Sequence, residues 1–353
     1  MLLSRVLRLA ANALFEVGRV GESLKILHIS HRVLKGVALG DYDDFRLEAA
    51  STNVDIAVLQ EKLGKHKEAE LSLQSALQVQ VSLLGWNSLV VANTIDLQAA
   101  VARRDGRYDE SASLLHRGLH IRLMIPESRH EDVLIAASFD GLGMTFREQG
   151  RHHEAFSLAW SALEIRSNAL GKQHPDTMRS LEHVGTALFA LGNYDEALAK
   201  FNEALLLSST LYGERHFRCA QLFLHRGNTY LRLKKIDQAL NSMNLAKTYL
   251  TECFGEEHVE TARAKNSIAC TLQRQGHAEE SLRIFEQVLK LRLQKLGNRH
   301  KEVADTHYNM ARLVMVYMHL CVRANITHTR GCEFKRSHSH IPLSTALATS
   351  SSC

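Results

Sequence analysis

The sequence predicts an all-α protein, a solenoid of stacked helical hairpins, and three observations carry that prediction. A pattern of two amphipathic helices around a turn recurs about every 42 residues, a period typical of stacked repeats. A glycine recurs where the first helix of each pair must stop, at Gly18, Gly64, Gly106, Gly150, Gly192 and Gly276, with Lys234 in the same column. Two further columns hold only glycine, alanine or serine: Ala11, Ala57, Ala99, Gly143, Gly185, Gly227, Ala269 and Ala311 before the turn, and Ser23, Ala69, Ser111, Ala155, Ala197, Ala239 and Ser281 after it. Small side chains at fixed places on both helices let the two backbones approach closely.

The clearest copy runs from Gly171 to Gly213. Met178, Leu181, Val184 and Leu188 follow the i, i+3, i+4, i+7 spacing of an apolar helix stripe, and Ala197, Phe201, Ala204 and Leu205 do so again. Between them Leu191-Gly192-Asn193-Tyr194-Asp195 supplies a helix stop and an acidic helix start. One hairpin cannot bury both of its faces, so the unit needs neighbours. Successive turn positions lie 46, 42, 44, 42, 42 and 42 residues apart. The two additions therefore fall in loops of the N-terminal half.

The small residues at Gly185, Ala197 and Ala204, with Phe201 among them and Tyr194 after the turn glycine, resemble the tetratricopeptide repeat. The 42-residue period and the connector Leu170-Gly171-Lys172-Gln173-His174-Pro175-Asp176 are similar to those of kinesin light chains and related scaffolds. The resemblance spans roughly residues 1–314. It implies a right-handed solenoid whose concave face is lined by the first helix of each hairpin and receives a peptide or partner protein.

Along the chain, the opening MLLSRVLRLAANALF is basic and amphipathic like a transit peptide, but Ala11 and Gly18 fall in the repeat columns, so it is read as the first repeat helix. No heptad coiled coil precedes it, so association with a kinesin heavy chain is not expected. The second and third repeats, Asp41 to Ile125, diverge: Gln60 and Ala102 stand where bulky residues are expected, Gly118 replaces a packing alanine, and Pro126 breaks the next connector. Residues 143–311 are the most regular stretch. After Arg312 the columns fail, with Met318 at the turn and Arg323 at the small position. The expected organisation is therefore a solenoid over 1–314, about seven hairpins plus an orphan helix, and an irregular, disordered tail over 315–353, a truncated or alternatively spliced end.

Composition narrows the function classes. Of the net charge of +5, Arg323, Arg330, Lys335 and Arg336 against Glu333 place +3 in the last 41 residues. The +2 left for the repeats does not argue for nucleic acid. The longest apolar run, Leu313 to Val322, is about half of the ~18 residues a membrane span needs. Six cysteines, with Cys219, Cys253 and Cys270 set singly within helical patterns, suit a reduced cytoplasmic protein.

No motif calls for catalysis or a cofactor. His174, His216, His258 and His300 recur every 42 residues, so they lie on the order of 10 Å apart in a stack, whereas ligands of one metal ion sit ~2 Å from it. They are read as connector residues. The tail set Cys321, Cys332, His338 and His340 matches no zinc spacing, and Gly141-Leu142-Gly143 lies inside a helical pattern rather than in a phosphate loop.

What remains is the outward stripe of the first helices: Arg179, Glu182, His183 and Thr186; Gln221, Leu224, His225 and Asn228; Arg263, Asn266, Ser267 and Cys270; Asp305, Tyr308, Asn309 and Arg312. The resemblance implies an asparagine clasping a peptide backbone two positions before the small residue, and Asn309 keeps it. The candidate groove is Arg147, Arg179, His183, His225, Asn228, Arg263, Asn266, Asn309 and Arg312. Its arginines suit an acidic peptide, while Asp55, Glu61, Asp96 and Asp140 are expected on the N-terminal stripe. The reading is a non-enzymatic adaptor without cofactor or metal; the alternative is the sensor segment of a signalling system.

Overall fold

The computed structural model describes residues 2–16, 19–37, 43–125, 129–298 and 300–323. Gly18, Pro126 and the tail beyond Arg323, including Cys332, His338 and His340, lie outside these residues, as does the expected disorder. The described residues hold fifteen α-helices and no strand. They are α1 (Leu2–Glu16), α2 (Val20–Val37), α3 (Asp43–Lys62), α4 (His66–Leu84), α5 (Leu89–Arg104), α6 (Tyr108–Met124), α7 (Arg129–Glu148), α8 (His152–Leu170), α9 (Pro175–Leu191) and α10 (Tyr194–Tyr212), followed by α11 (Phe217–Arg232), α12 (Ile236–Phe254), α13 (Val259–Gln275), α14 (Ala278–Leu296) and α15 (Lys301–Arg323).

The chain divides into two compact units, Met1–Leu211 and Tyr212–Cys353. In the first, α1 pairs with α2, α3 with α4, α5 with α6 and α7 with α8, and each second helix also packs on the first helix of the next hairpin. The α9 and α10 pair closes this unit through Gly185, where a Cβ would lie 2.6 Å from the Phe201 ring. In the second unit α11 pairs with α12 and α13 with α14, while α12 packs on α13 and α14 on α15. Every member of the two small columns is buried. Serine serves there because Ser23 and Ser281 donate their hydroxyls to the carbonyls of Ala11 and Ala269 at 2.7 Å.

Helix α9 shows why these segments begin and end where they do. His174 caps it by accepting the Asp176 N–H at Nδ1 at 3.1 Å, Pro175 occupies the first turn, and Gly192 ends it in the left-handed region at φ 87°. Lys234 holds the same place after α11 at φ 60°, a backbone that disfavours a side chain.

The four histidines expected in connectors share the capping role. His216, His258 and His300 accept from Arg218, Glu260 and Glu302 at 3.2–3.3 Å. Thr177 and Thr261 brace the same connectors by donating to the carbonyls of Gly171 and Gly255 at 2.8 Å.

The boundary expected at residue 314 lies within a helix, because α15 runs to Arg323. Column positions locate hairpins but do not mark where a single helix stops. The divergent residues have packing reasons of their own. Gln60 is buried and accepts from the Ser72 hydroxyl at 2.9 Å. At Gly118 a Cβ would fall 2.3 Å from Asp96 Oδ1, so the missing side chain makes room for a carboxylate.

Candidate functional site

In the first unit, α7 and α9 bring Arg147, His183 and Thr186 around a narrow crevice with Asp140, Gly143 and Met144, floored by Ala155 and Ala159 of α8. The crevice exists because residue 159 is alanine, whereas the equivalent positions are Leu27, Leu73, Leu115, Phe201, Met243 and Phe285. The helices close up only in part. A Cβ on Gly143 would already lie 3.2 Å from the Ala155 carbonyl oxygen.

The three candidate residues of this unit are each held by an acid of their own chain. His183 Nδ1 lies 2.8 Å from Asp140 Oδ1, and Arg179 pairs with Asp176 at 3.0 Å, one turn back on α9. Arg147 contacts Glu148 at 2.9 Å.

The second unit carries the rest on α11, α13 and α15. Arg263 sits between Glu260 at 3.2 Å and Glu302 at 3.5 Å. Asn228 and Arg312 are exposed, and His225, Asn266 and Asn309 are half-buried. Arg312 reaches Gln273 Oε1 at 3.5 Å, and the Asn266 side-chain oxygen is buried without a hydrogen-bond partner. Leu224, expected on the stripe, is instead buried with Ala220, Met243 and Leu250, because an aliphatic side chain gains more in the core than beside solvent.

Asp96 and Asp140, expected on the inner stripe, are corrected by a feature that amphipathic patterning hides. Arg122, Arg166 and Arg292 share one register on the second helices and are only 2, 0 and 3 % exposed, with Gln80 at 1 % in the same register. Arg122 lies 2.8 Å from Asp96 and donates to Ser138 at 2.7 Å. Arg166 is bound to Asp140 and to Ser180. Arg292 donates to Thr306 at 2.7 Å, and Gln80 accepts from Thr94 at 2.7 Å. The bonds to Ser138, Ser180, Thr306 and Thr94 each join a hairpin to the next, whereas Asp96 and Asp140 tie their arginines within one hairpin. The signal was present in the sequence: Gln80, Arg166 and Arg292 precede their hydroxyl partners by 14 residues, and Arg122 precedes Ser138 by 16 across the lengthened connector.

Burial raises the Asp96 carboxyl to about 6, Arg122 only partly opposing it. At Asp140 burial also pushes upward, but His183 and Arg166 together outweigh it and hold the carboxyl below the usual range. Residue 141, which takes the register of His183 one repeat earlier, is glycine, so Asp96 has no histidine of that kind beside it.

The family model described as tetratricopeptide repeat matches residues 132–207, 178–246 and 218–294. Residues 132–294 are tetratricopeptide repeats. Its fold is similar to that of a Rap protein complexed with competence and sporulation factor, at 11% identity and a TM-score of 0.59, covering 98% of this chain and 99% of that one. It is similar also to a signal transduction ATPase with a tetratricopeptide repeat sensor from Pyrococcus horikoshii, at 12% identity and a TM-score of 0.52 over 96% of this chain and 51% of that one. A third likeness is to a putative kinesin light chain from Podosopora anserina, at 18% identity and a TM-score of 0.48 over 58% of this chain and 96% of that one. No curated protein matches the chain. Among the described residues of these repeats, no helix is long and apolar enough to cross a membrane.

Proposed function

We propose that the chain is a non-enzymatic scaffold or adaptor that binds a peptide or partner protein on the inner stripe of its repeats. The carrying observation is that the stripe of the second unit keeps Asn228 and Arg312 exposed and Asn309 half-buried, whereas His183, Arg179 and Arg263 are engaged by acids of their own chain. Side-chain amides both donate to and accept from an extended backbone, and a guanidinium grips a carboxylate with two parallel bonds. The proposed ligand is thus a peptide with acidic residues, held mainly by α11, α13 and α15.

The free thiols of Cys219, Cys253 and Cys270 support a reducing, cytoplasmic setting. The fold shared with the Rap protein and the ATPase sensor favours the second reading, a sensor segment whose bound peptide is a signal.

A peptide array probed with the wild type and with Asn309→Ala/Arg312→Glu tests the site. Loss of a charge-assisted hydrogen bond, worth roughly 1.5–3 kcal/mol, should weaken acidic peptides about tenfold or more while circular dichroism stays unchanged. Equal binding by both proteins would move the ligand to another surface.

A further inference from the structure

We propose that the end of the first unit formed by α1 and α2 is a docking surface for an amphipathic helix of a partner protein, acidic at its rim and apolar where it meets Val6. This surface borders the inner stripe, Arg5 and Leu9 taking the register of Arg179 and His183, but it stands without the peptide reading. The argument begins from the repeat register. On α9 the residues that face the preceding hairpin are Thr177, Ser180, Val184 and Ala187, all at most 3 % exposed. Ser180 identifies the neighbour, since it bonds Arg166 of α8.

The same face is sealed on α3 by Ala49, Thr52, Ile56 and Leu59, and on α13 by Thr261, Ala264, Ile268 and Thr271. On α1 the equivalent residues are Leu3, Val6, Ala10 and Ala13. Leu3 is 58 % and Val6 53 % exposed, and both alanines are exposed as well.

Helix α2 extends the surface. Ile29 and Val33, both exposed, take the register of Glu203 and Leu207 in α10, and Glu203 there lines the crevice between α8 and α10. Leu2 and Leu9, 83 and 69 % exposed, flank the stripe on α1. A group of exposed apolar side chains on one face of two packed helices marks an interaction site.

The internal interfaces say what shape and chemistry would cover it. In each seam from one hairpin to the next within a unit, the larger contact is made by the second helix of the preceding hairpin, and first helices touch one another to a smaller extent. The register residue of that second helix is an arginine or glutamine where the facing position is Ser138, Ser180, Thr306 or Thr94, and it is a leucine, Leu250 or Leu34, where the facing position is Ala264 or Thr52. Val6 offers no hydroxyl, so it calls for the apolar kind, because a guanidinium buried against it would lack a partner.

Charge decides between a foreign helix and a second copy. Arg5, Lys25 and Arg32 rim the patch and are exposed, Arg8 is tied to Glu48 and Asp55, and Glu22 is paired with Arg19. Two such basic rims repel each other, whereas an acidic-rimmed helix is drawn in.

The test uses the full chain and a labelled synthetic peptide with the sequence Ile236–Phe254, which within this protein covers the same face of α13. Fluorescence anisotropy should show saturable binding that weakens at least about tenfold with Leu3→Glu/Val6→Glu in the protein, or with arginine replacing Leu250 in the peptide, and that also weakens with rising salt. Because Leu3 and Val6 are exposed, the double variant should keep its helical circular dichroism. Absence of saturable binding overturns the proposal, as does equal binding by the double variant. Concentration-dependent dimers in sedimentation, abolished by the same two substitutions, would overturn it in favour of a second copy.

Discussion

Asp96 and Asp140 stand in one register of successive repeats, both facing a buried arginine, yet their carboxyls move in opposite directions. For Asp96 the folded value of about 6 lies above that of an unfolded aspartate, about 3.9. The native state therefore holds a proton that the unfolded chain has released, and stability contributed at this site falls as pH rises from about 4 to about 6. At Asp140 the sign is reversed: its contribution is present above the unfolded value and is lost as pH falls through the depressed folded one. The stability difference between wild type and Asp96→Asn, measured by urea denaturation, should shrink between pH 4 and pH 6. A difference that grows over that range would show that Arg122 outweighs burial. The sequence exposed both aspartates as charged residues of a helix stripe and nothing more, because the period of a stripe does not say whether a carboxylate meets water or an arginine from the neighbouring helix.

At the scale of the element, the repeat columns were legible because sterics impose them locally: a left-handed turn favours glycine, and close helices demand small side chains. The seams between hairpins were not, since a seam can be built in two ways. Arg166 with Ser180 makes a polar seam between α8 and α9, anchored on Asp140 of α7, while Leu250 with Ala264 makes an apolar one between α12 and α13. Removing Arg166 leaves the buried Asp140 with His183 alone, so Arg166→Ala should cost roughly 3 kcal/mol, the low end for breaking a buried pair. Replacing the set by Arg166→Leu, Asp140→Leu and Ser180→Ala should recover most of that loss, following the pattern the chain itself uses at Leu250. Guanidinium denaturation of the single and triple variants checks this. A triple variant no more stable than the single one would mean that the polar seam fixes a geometry that apolar side chains cannot reproduce.

For the whole molecule, stability in a repeat protein is a sum over repeats and the seams between neighbours, and about three repeats are needed before the sum is favourable. The first unit has five hairpins, with seams of α2 on α3, α4 on α5, α6 on α7 and α8 on α9; the second has two hairpins and α15, with seams of α12 on α13 and α14 on α15. Expressed separately, residues 1–211 should unfold cooperatively at a clearly higher temperature than residues 212–353. Thermal melts followed by circular dichroism would show it, and equal melting temperatures would contradict a nearest-neighbour account. The asymmetry bears on binding, because Asn228, Asn266, Asn309 and Arg312 all lie in the second unit. A ligand that engages only the folded form raises its stability in proportion to the logarithm of ligand concentration over Kd. An acidic peptide held there should thus raise the melt of the 212–353 fragment and leave that of 1–211 unmoved, and a shift confined to 1–211 would place the peptide site at the Arg147 and His183 crevice instead.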